Sequence, residues 1–201
     1  MRALQVLAYY EDPATRKLLL ELGQSASGPA LTIVLGRLSR QPDRSCLPLF
    51  EKGLAEPTED RVRQAIAAYR RVDESLLIPA LVPLTKHPDQ FVAREAVRAV
   101  TGLPPGKHAG LYLDAVLGCN SYEICSPLVN ALIKSKWNDP AAIRPLGEKL
   151  GQTADRAVQY QIILLLQALS GDATLGPKEG SEFWNNPAQW VGVWKTWASS
   201  H

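Results

Sequence analysis

The chain has 201 residues, with 22 Lys and Arg against 20 Asp and Glu and a net charge of +2. That balance excludes the broad basic footprint of a dedicated nucleic-acid binder and leaves room only for a local basic strip. The 46% hydrophobic share is led by Leu and Ala, which suits a soluble helical protein with a sizeable core, as one domain or two small ones. No apolar run approaches the roughly 18 residues of a membrane span, and LQVLAYY is too short and too soon followed by Glu11 and Asp12 to be a signal peptide. Cys46, Cys119 and Cys125 are odd in number, lack a CxxC spacing and sit among apolar residues. They predict small buried thiols and a reducing, cytoplasmic compartment.

In chain order, Met1 to Tyr10 reads as an isolated helix over 1–11 with Ala3, Leu4, Leu7 and Tyr10 on one uncovered edge. A solenoid normally ends in a polar cap. The raw edge therefore predicts either an unseen covering segment or a chain that begins inside a longer protein. Residues 13–40 form a first helix pair, RKLLLELG and ALTIVLGRLSR. The second, 45–72, places Leu47, Phe50 and Leu54 on one face and then Val62, Ile66 and Tyr69 on another, the spacing of core-facing stripes. The third, 74–102, runs a helix from Leu76 to Lys86, a turn capped by Asp89, and a helix that buries Val92, Ala96, Val97 and Val100. In the fourth, 107–136, Leu111, Leu113, Val116 and Leu117 precede Ile124, Leu128, Leu132 and Ile133. The fifth, 139–170, ends in QIILLLQAL, apolar on nearly every side and predicted to be the most deeply buried helix. Gly171 to Glu182 is a polar loop, and Asn186 with Pro187 opens a helix that carries Trp190, Trp194 and Trp197 on one face.

These pairs recur. Arg63 in VRQAIAAY finds its counterpart in Arg94 of AREAVRAV, thirty-one residues on, and first helices end near Gly23, Gly53, Lys86, Gly118 and Gly151. A helical period in this range predicts a solenoid. With its Val-Arg openings and Asp- or Pro-containing turns, the chain resembles the HEAT-repeat family of armadillo-like superhelices over about residues 13–170. The resemblance implies an all-α, right-handed α-α superhelix of about five helix pairs. It also implies hydrogen bonds from Arg63 and Arg94 to Asp in neighbouring turns. Residues 171–201 look like the Trp-rich closing helix of many bacterial HEAT-type proteins. They predict that Trp190, Trp194 and Trp197 form a structural cap, with Phe183 and Trp184 alongside; an aromatic platform for a ligand is the alternative.

Catalytic signatures are missing from the sequence. His87, His108 and His201 have no metal partner at helical spacing, and no nucleotide-binding or nucleophile motif occurs. The carboxylate pairs Glu11-Asp12, Glu59-Asp60 and Asp73-Glu74 lie where they would cap helices. The expectation is a protein that is not an enzyme and uses no cofactor. What remains is a polar row on the second helices: Arg63, Arg70, Arg94 and Arg98, continued by Tyr122, Asn130, Lys134 and Gln159. It reads either as solvated helix faces or as a partly basic groove for an acidic peptide or a phosphate-bearing ligand. The leading expectation is a non-catalytic scaffold that binds another protein, with a further contact through residues 1–11. Helical-repeat DNA glycosylases and chromophore lyases are the competing resemblances.

Overall fold

A computed structural model describes residues 12–172 and 174–201, so the expected helix over 1–11, with its edge of Ala3, Leu4, Leu7 and Tyr10, lies outside the described residues. The described residues are all-α, with twelve α-helices and no strand. They divide into two compact units, one up to Val100 and one from Thr101. None of the described helices is long and apolar enough to cross a membrane.

In the first unit α1 (Pro13–Ser25) packs on α2 (Gly28–Leu38), and α3 (Leu47–Ala55) packs on α4 (Glu59–Val72). The third pair has a broken first member. α5 (Leu77–Leu81) gives way to a 3-10 stretch, Val82–Lys86, and both pack on α6 (Gln90–Val100). A single helix over 76–86 is interrupted because Pro83 brings no N–H and crowds the preceding turn. α2 lies against α4 and α4 against α6, so the second helices stand side by side. Their apolar stripes supply the core: Leu31, Val34 and Leu35, then Val62, Ala65 and Tyr69, then Val92, Ala96 and Val100. Full burial of each large aliphatic side chain contributes about 1.5–3 kcal/mol before chain entropy is subtracted.

A lead-in that the apolar pattern did not predict opens several first helices. Asp43, Asp73 and Asp139 each accept the N–H two residues on, from Ser45 at 2.8 Å, Ser75 at 3.1 Å and Ala141 at 3.0 Å. Each is followed by one turn of 3-10 helix, at Arg44–Cys46, Glu74–Leu76 and Pro140–Ala142. The carboxylate satisfies a donor that the helix cannot, and the tight turn aims the next helix.

In the second unit α7 (Ala109–Gly118) packs on α8 (Tyr122–Lys134), α9 (Ile143–Gln152) packs on α10 (Arg156–Ser170), and α8 lies beside α10. The buried stripe of α7 is Tyr112, Ala115 and Val116, with Cys119 just beyond it; Leu111, Leu113 and Leu117 are half-buried. The three-four spacing from Tyr112 marks this face. α10 buries Val158, Gln161, Ile162, Ile163, Leu165, Leu166 and Leu169, the most of any described helix, and ends at Gly171 in the left-handed region (φ 66°). The expected loop up to Glu182 stops earlier, because α11 (Gly180–Asn185) carries Phe183 and Trp184. α12 (Pro187–Ser199), capped by Asn186, then lies across α9 and α10.

Candidate functional site

The outward face of the first unit follows from its core stripe. Val62, Ala65 and Tyr69 point inward, so Arg63 and Arg70 on α4 point out; Arg94 and Arg98 do the same on α6, and all four are exposed. They differ in what they hold. Arg63 forms an ion pair with Glu59 on its own helix and another, at 3.2 Å, with Glu95 on α6. The Glu95 hydrogen bond, followed by the charges of Glu95 and Glu59, pushes the Arg63 guanidinium pKa further up. Both partners are glutamates on helices, where the repeat resemblance implied an Asp in a turn. Arg70 and Arg98 make no hydrogen bond or ion pair among the described residues. With Ile66, Glu95 and Ala99 they line a shallow depression. Phe91, 63% exposed, lies two turns before Arg98 on the same helix.

The other four residues of the row belong to the second unit. Tyr122 is exposed at the start of α8, and Lys134 is exposed in its last turn. Asn130 donates to the Ser126 hydroxyl at 3.3 Å, one turn back. Gln159 is half-buried and donates to the Thr153 carbonyl at 2.8 Å, holding the turn that leads into its own helix. The eight residues therefore fall as two sets of four, one in each unit. Only Arg70 and Arg98 of the eight share the depression.

The cations that hold the first unit together are different ones. Arg61 is 3% exposed, and its guanidinium donates to the Glu56 carbonyl at 2.6 Å, the Gly28 carbonyl at 2.7 Å and the Thr32 hydroxyl at 3.1 Å. Lys52 donates to the Gly23, Gln24 and Ala26 carbonyls at the end of α1, at 3.0, 2.5 and 2.8 Å. Arg71 reaches the Ser39 and Arg40 carbonyls after α2. Unpaired carbonyls at a helix C-terminus carry partial negative charge, so a cation there is favoured twice, by hydrogen bonding and by the dipole. One signal in the sequence could have found Arg61: it stands four residues before Ala65 and seven before Ala68, on the buried stripe.

At the other end of the chain Trp194 is fully buried, while Trp190 and Trp197 are half-buried. Trp190 donates to the Glu182 carbonyl at 3.1 Å, and Trp197 meets Trp194 edge-on at 5.2 Å and stacks on His201 at 4.4 Å. Phe183, wholly buried, and Trp184, half exposed, cluster with Tyr160. Cys46, Cys119 and Cys125 are buried free thiols. A hydrogen bond with Cys119, then burial, drives the Cys125 pKa well up, which makes this a poor nucleophile at neutral pH. His87 accepts the Asp89 N–H at 3.1 Å. No group of three metal-type ligands occurs among the described residues. No family model matches the chain, and no curated protein matches it.

Proposed function

We propose that this chain is a non-catalytic protein-binding module: a HEAT-like, right-handed superhelix of about five helix pairs that presents its second helices to a protein or peptide partner. α12 would serve as its lid, with Trp190, Trp194 and Trp197 over the last helix pair. The side-by-side packing of α2, α4 and α6, and of α8 and α10, supports the stacked arrangement within each unit. One observation carries the binding assignment. Arg61, Arg63 and Arg71 on α4 are all committed to partners inside the protein, whereas Arg70 on that helix and Arg98 beside it are not. Guanidinium groups left open beside Ile66 favour carboxylates carried on a chain that also has apolar side chains, which describes an acidic peptide.

The test is to identify bound proteins by mass spectrometry after capture on the immobilised chain, then to repeat the binding measurement with an Arg70/Arg98 double alanine variant. Loss of a purified partner with helical circular dichroism intact is the expected result. Full retention of binding would remove this face as the site.

A further inference from the structure

The depression between α4 and α6 gathers cations around a single carboxylate. Glu95 lines it together with Arg70 and Arg98, and its side chain is only 18% exposed. Three residues before Arg98 on one helix, Glu95 has the spacing of an ordinary intrahelical ion pair with it. That pair is not formed. Arg63 reaches across from α4 and holds Glu95 Oε1 at 3.2 Å through Nη2, and Glu59, one turn before Arg63, pairs with the same nitrogen.

We propose that Arg63 is a positioning residue: by occupying Glu95 it keeps Arg70 and Arg98 open to bind the carboxylates of an acidic peptide whose apolar side chain covers Ile66. This rests on the peptide-binding function proposed above and names how that site is kept competent. Two guanidiniums would also attract free phosphate. Ile66, half-buried in the depression, and Phe91, exposed two turns away on the same face, favour a ligand with apolar side chains, which phosphate lacks. Without Arg63, Glu95 is left to the arginine pair that lines the same depression, and the ligand's carboxylates would have to compete with it.

The experiment is fluorescence anisotropy with a labelled peptide of alternating glutamates and leucines, its glutamine counterpart, and inorganic phosphate as competitor. Wild type should bind the glutamate peptide about tenfold more tightly than the glutamine peptide, the value of one good charge-assisted contact. Arg70→Ala with Arg98→Ala should erase that preference. Arg63→Ala should weaken glutamate-peptide binding by up to about fivefold, the scale of an exposed ion pair. Adding Glu95→Gln to Arg63→Ala should restore it, because the competing carboxylate is then gone. If the double variant stays as weak as Arg63→Ala, Arg63 touches the ligand directly and the positioning role is overturned. Wild-type affinity in Arg63→Ala would overturn it equally. Displacement by phosphate at peptide-like concentrations would show that the anion alone is recognised, and would overturn the peptide assignment. If wild type binds neither peptide, or binds both equally, the peptide-binding function itself fails, a result distinct from failure of the rescue.

Discussion

The two units hold their helices together by different means. In the first, cations reach back about one helix pair and close on backbone carbonyls: Lys52 on the end of α1, Arg61 on Gly28, Arg71 on the residues after α2. In the second, such a tie is made by Lys149 to the Asn120 amide oxygen at 3.0 Å, and much of the closing packing is hydrocarbon and indole. Trp194 and Phe183 are fully buried there, and α12 lies so close to α9 that a Cβ at Gly147 would overlap the Ala198 methyl. Cationic ties leave the outer helix faces polar. They also fix which arginines are committed, and so which ones can meet a partner. Aromatic closure needs no such bookkeeping, but it makes the second unit depend on a few large side chains.

The sharpest way to break the contrast is at Trp194. Trp194→Ala is expected to destabilise the second unit by about 3–5 kcal/mol, through lost burial and the cavity left behind. Hydrogen exchange read by mass spectrometry should locate the loss in α9 and α10 and leave α2 and α4 protected. Trp194→Phe should cost much less than that, since the buried indole N–H finds no acceptor among the described residues. A loss spread evenly over both units would count against two separately held halves. The matching change in the first unit is Arg61→Ala, expected to cost about 3 kcal/mol because the buried side chain is lost and part-buried carbonyls lose their donor. Arg61→Met retains much of the side-chain volume and lacks the donors. A thermal midpoint equal to that of wild type in Arg61→Met would show that packing, not hydrogen bonding, holds Arg61.

Much of this contrast was hidden in the sequence for a physical reason. Periodicity reports which face of a helix is apolar, and so Val62 with Tyr69, the α6 stripe and the depth of α10 were legible. It does not report where a long polar side chain ends. Arg61 and Arg63 are two residues apart in one segment, yet one is buried on three oxygen acceptors and the other is exposed between two glutamates. Tyr112 was passed over for the same kind of reason, because its neighbours Leu111 and Leu113 are more hydrophobic although they face outward more. The arginine row was visible as a pattern; which of its members are open depends on Glu59 and Glu95, and that takes coordinates. The break at Pro83 could have been anticipated from the proline alone.

Tyrosine ionisation gives a test in which the units should behave alike. Burial pushes the pKa of Tyr69 up to about 12, with Glu51 and Cys46 adding to it, and burial alone does the same for Tyr112. In the unfolded chain both titrate near 10. The folded state keeps its protons where the unfolded state gives them up. Stability is therefore intact below pH 10 and falls as pH rises from about 10 to about 12, by at most about 3 kcal/mol per tyrosine. Alkaline denaturation followed at 295 nm and by circular dichroism checks this. Tyr69→Phe and Tyr112→Phe should each remove part of the slope, by similar amounts in the two units. Exposed tyrosines such as Tyr122 ionise near pH 10 in the native state as well, so the reading is the difference from each variant. If Tyr69→Phe or Tyr112→Phe lowers the phenolate absorbance gained at pH 10 while the helix signal is intact, that tyrosine is reached by solvent in the native state.

Lys52 is the smallest lever and the most selective. Its ammonium group sits on the Gly23, Gln24 and Ala26 carbonyls, where α1 has no N–H groups left to offer. Lys52→Met retains the apolar stem against α1 and removes only the donors and the charge. Solvent reaches this partly exposed site, so water can replace the lysine in part, and the expected loss is about 1 kcal/mol. The loss should appear as faster amide exchange near the α1–α2 turn, where the released carbonyls lie. Raising the salt concentration should weaken wild type more than Lys52→Met, since only wild type has a charge there to screen. An unchanged salt response would mean that the three contacts act as neutral hydrogen bonds, and the charge difference between the two units would then lose its first-unit basis at α1.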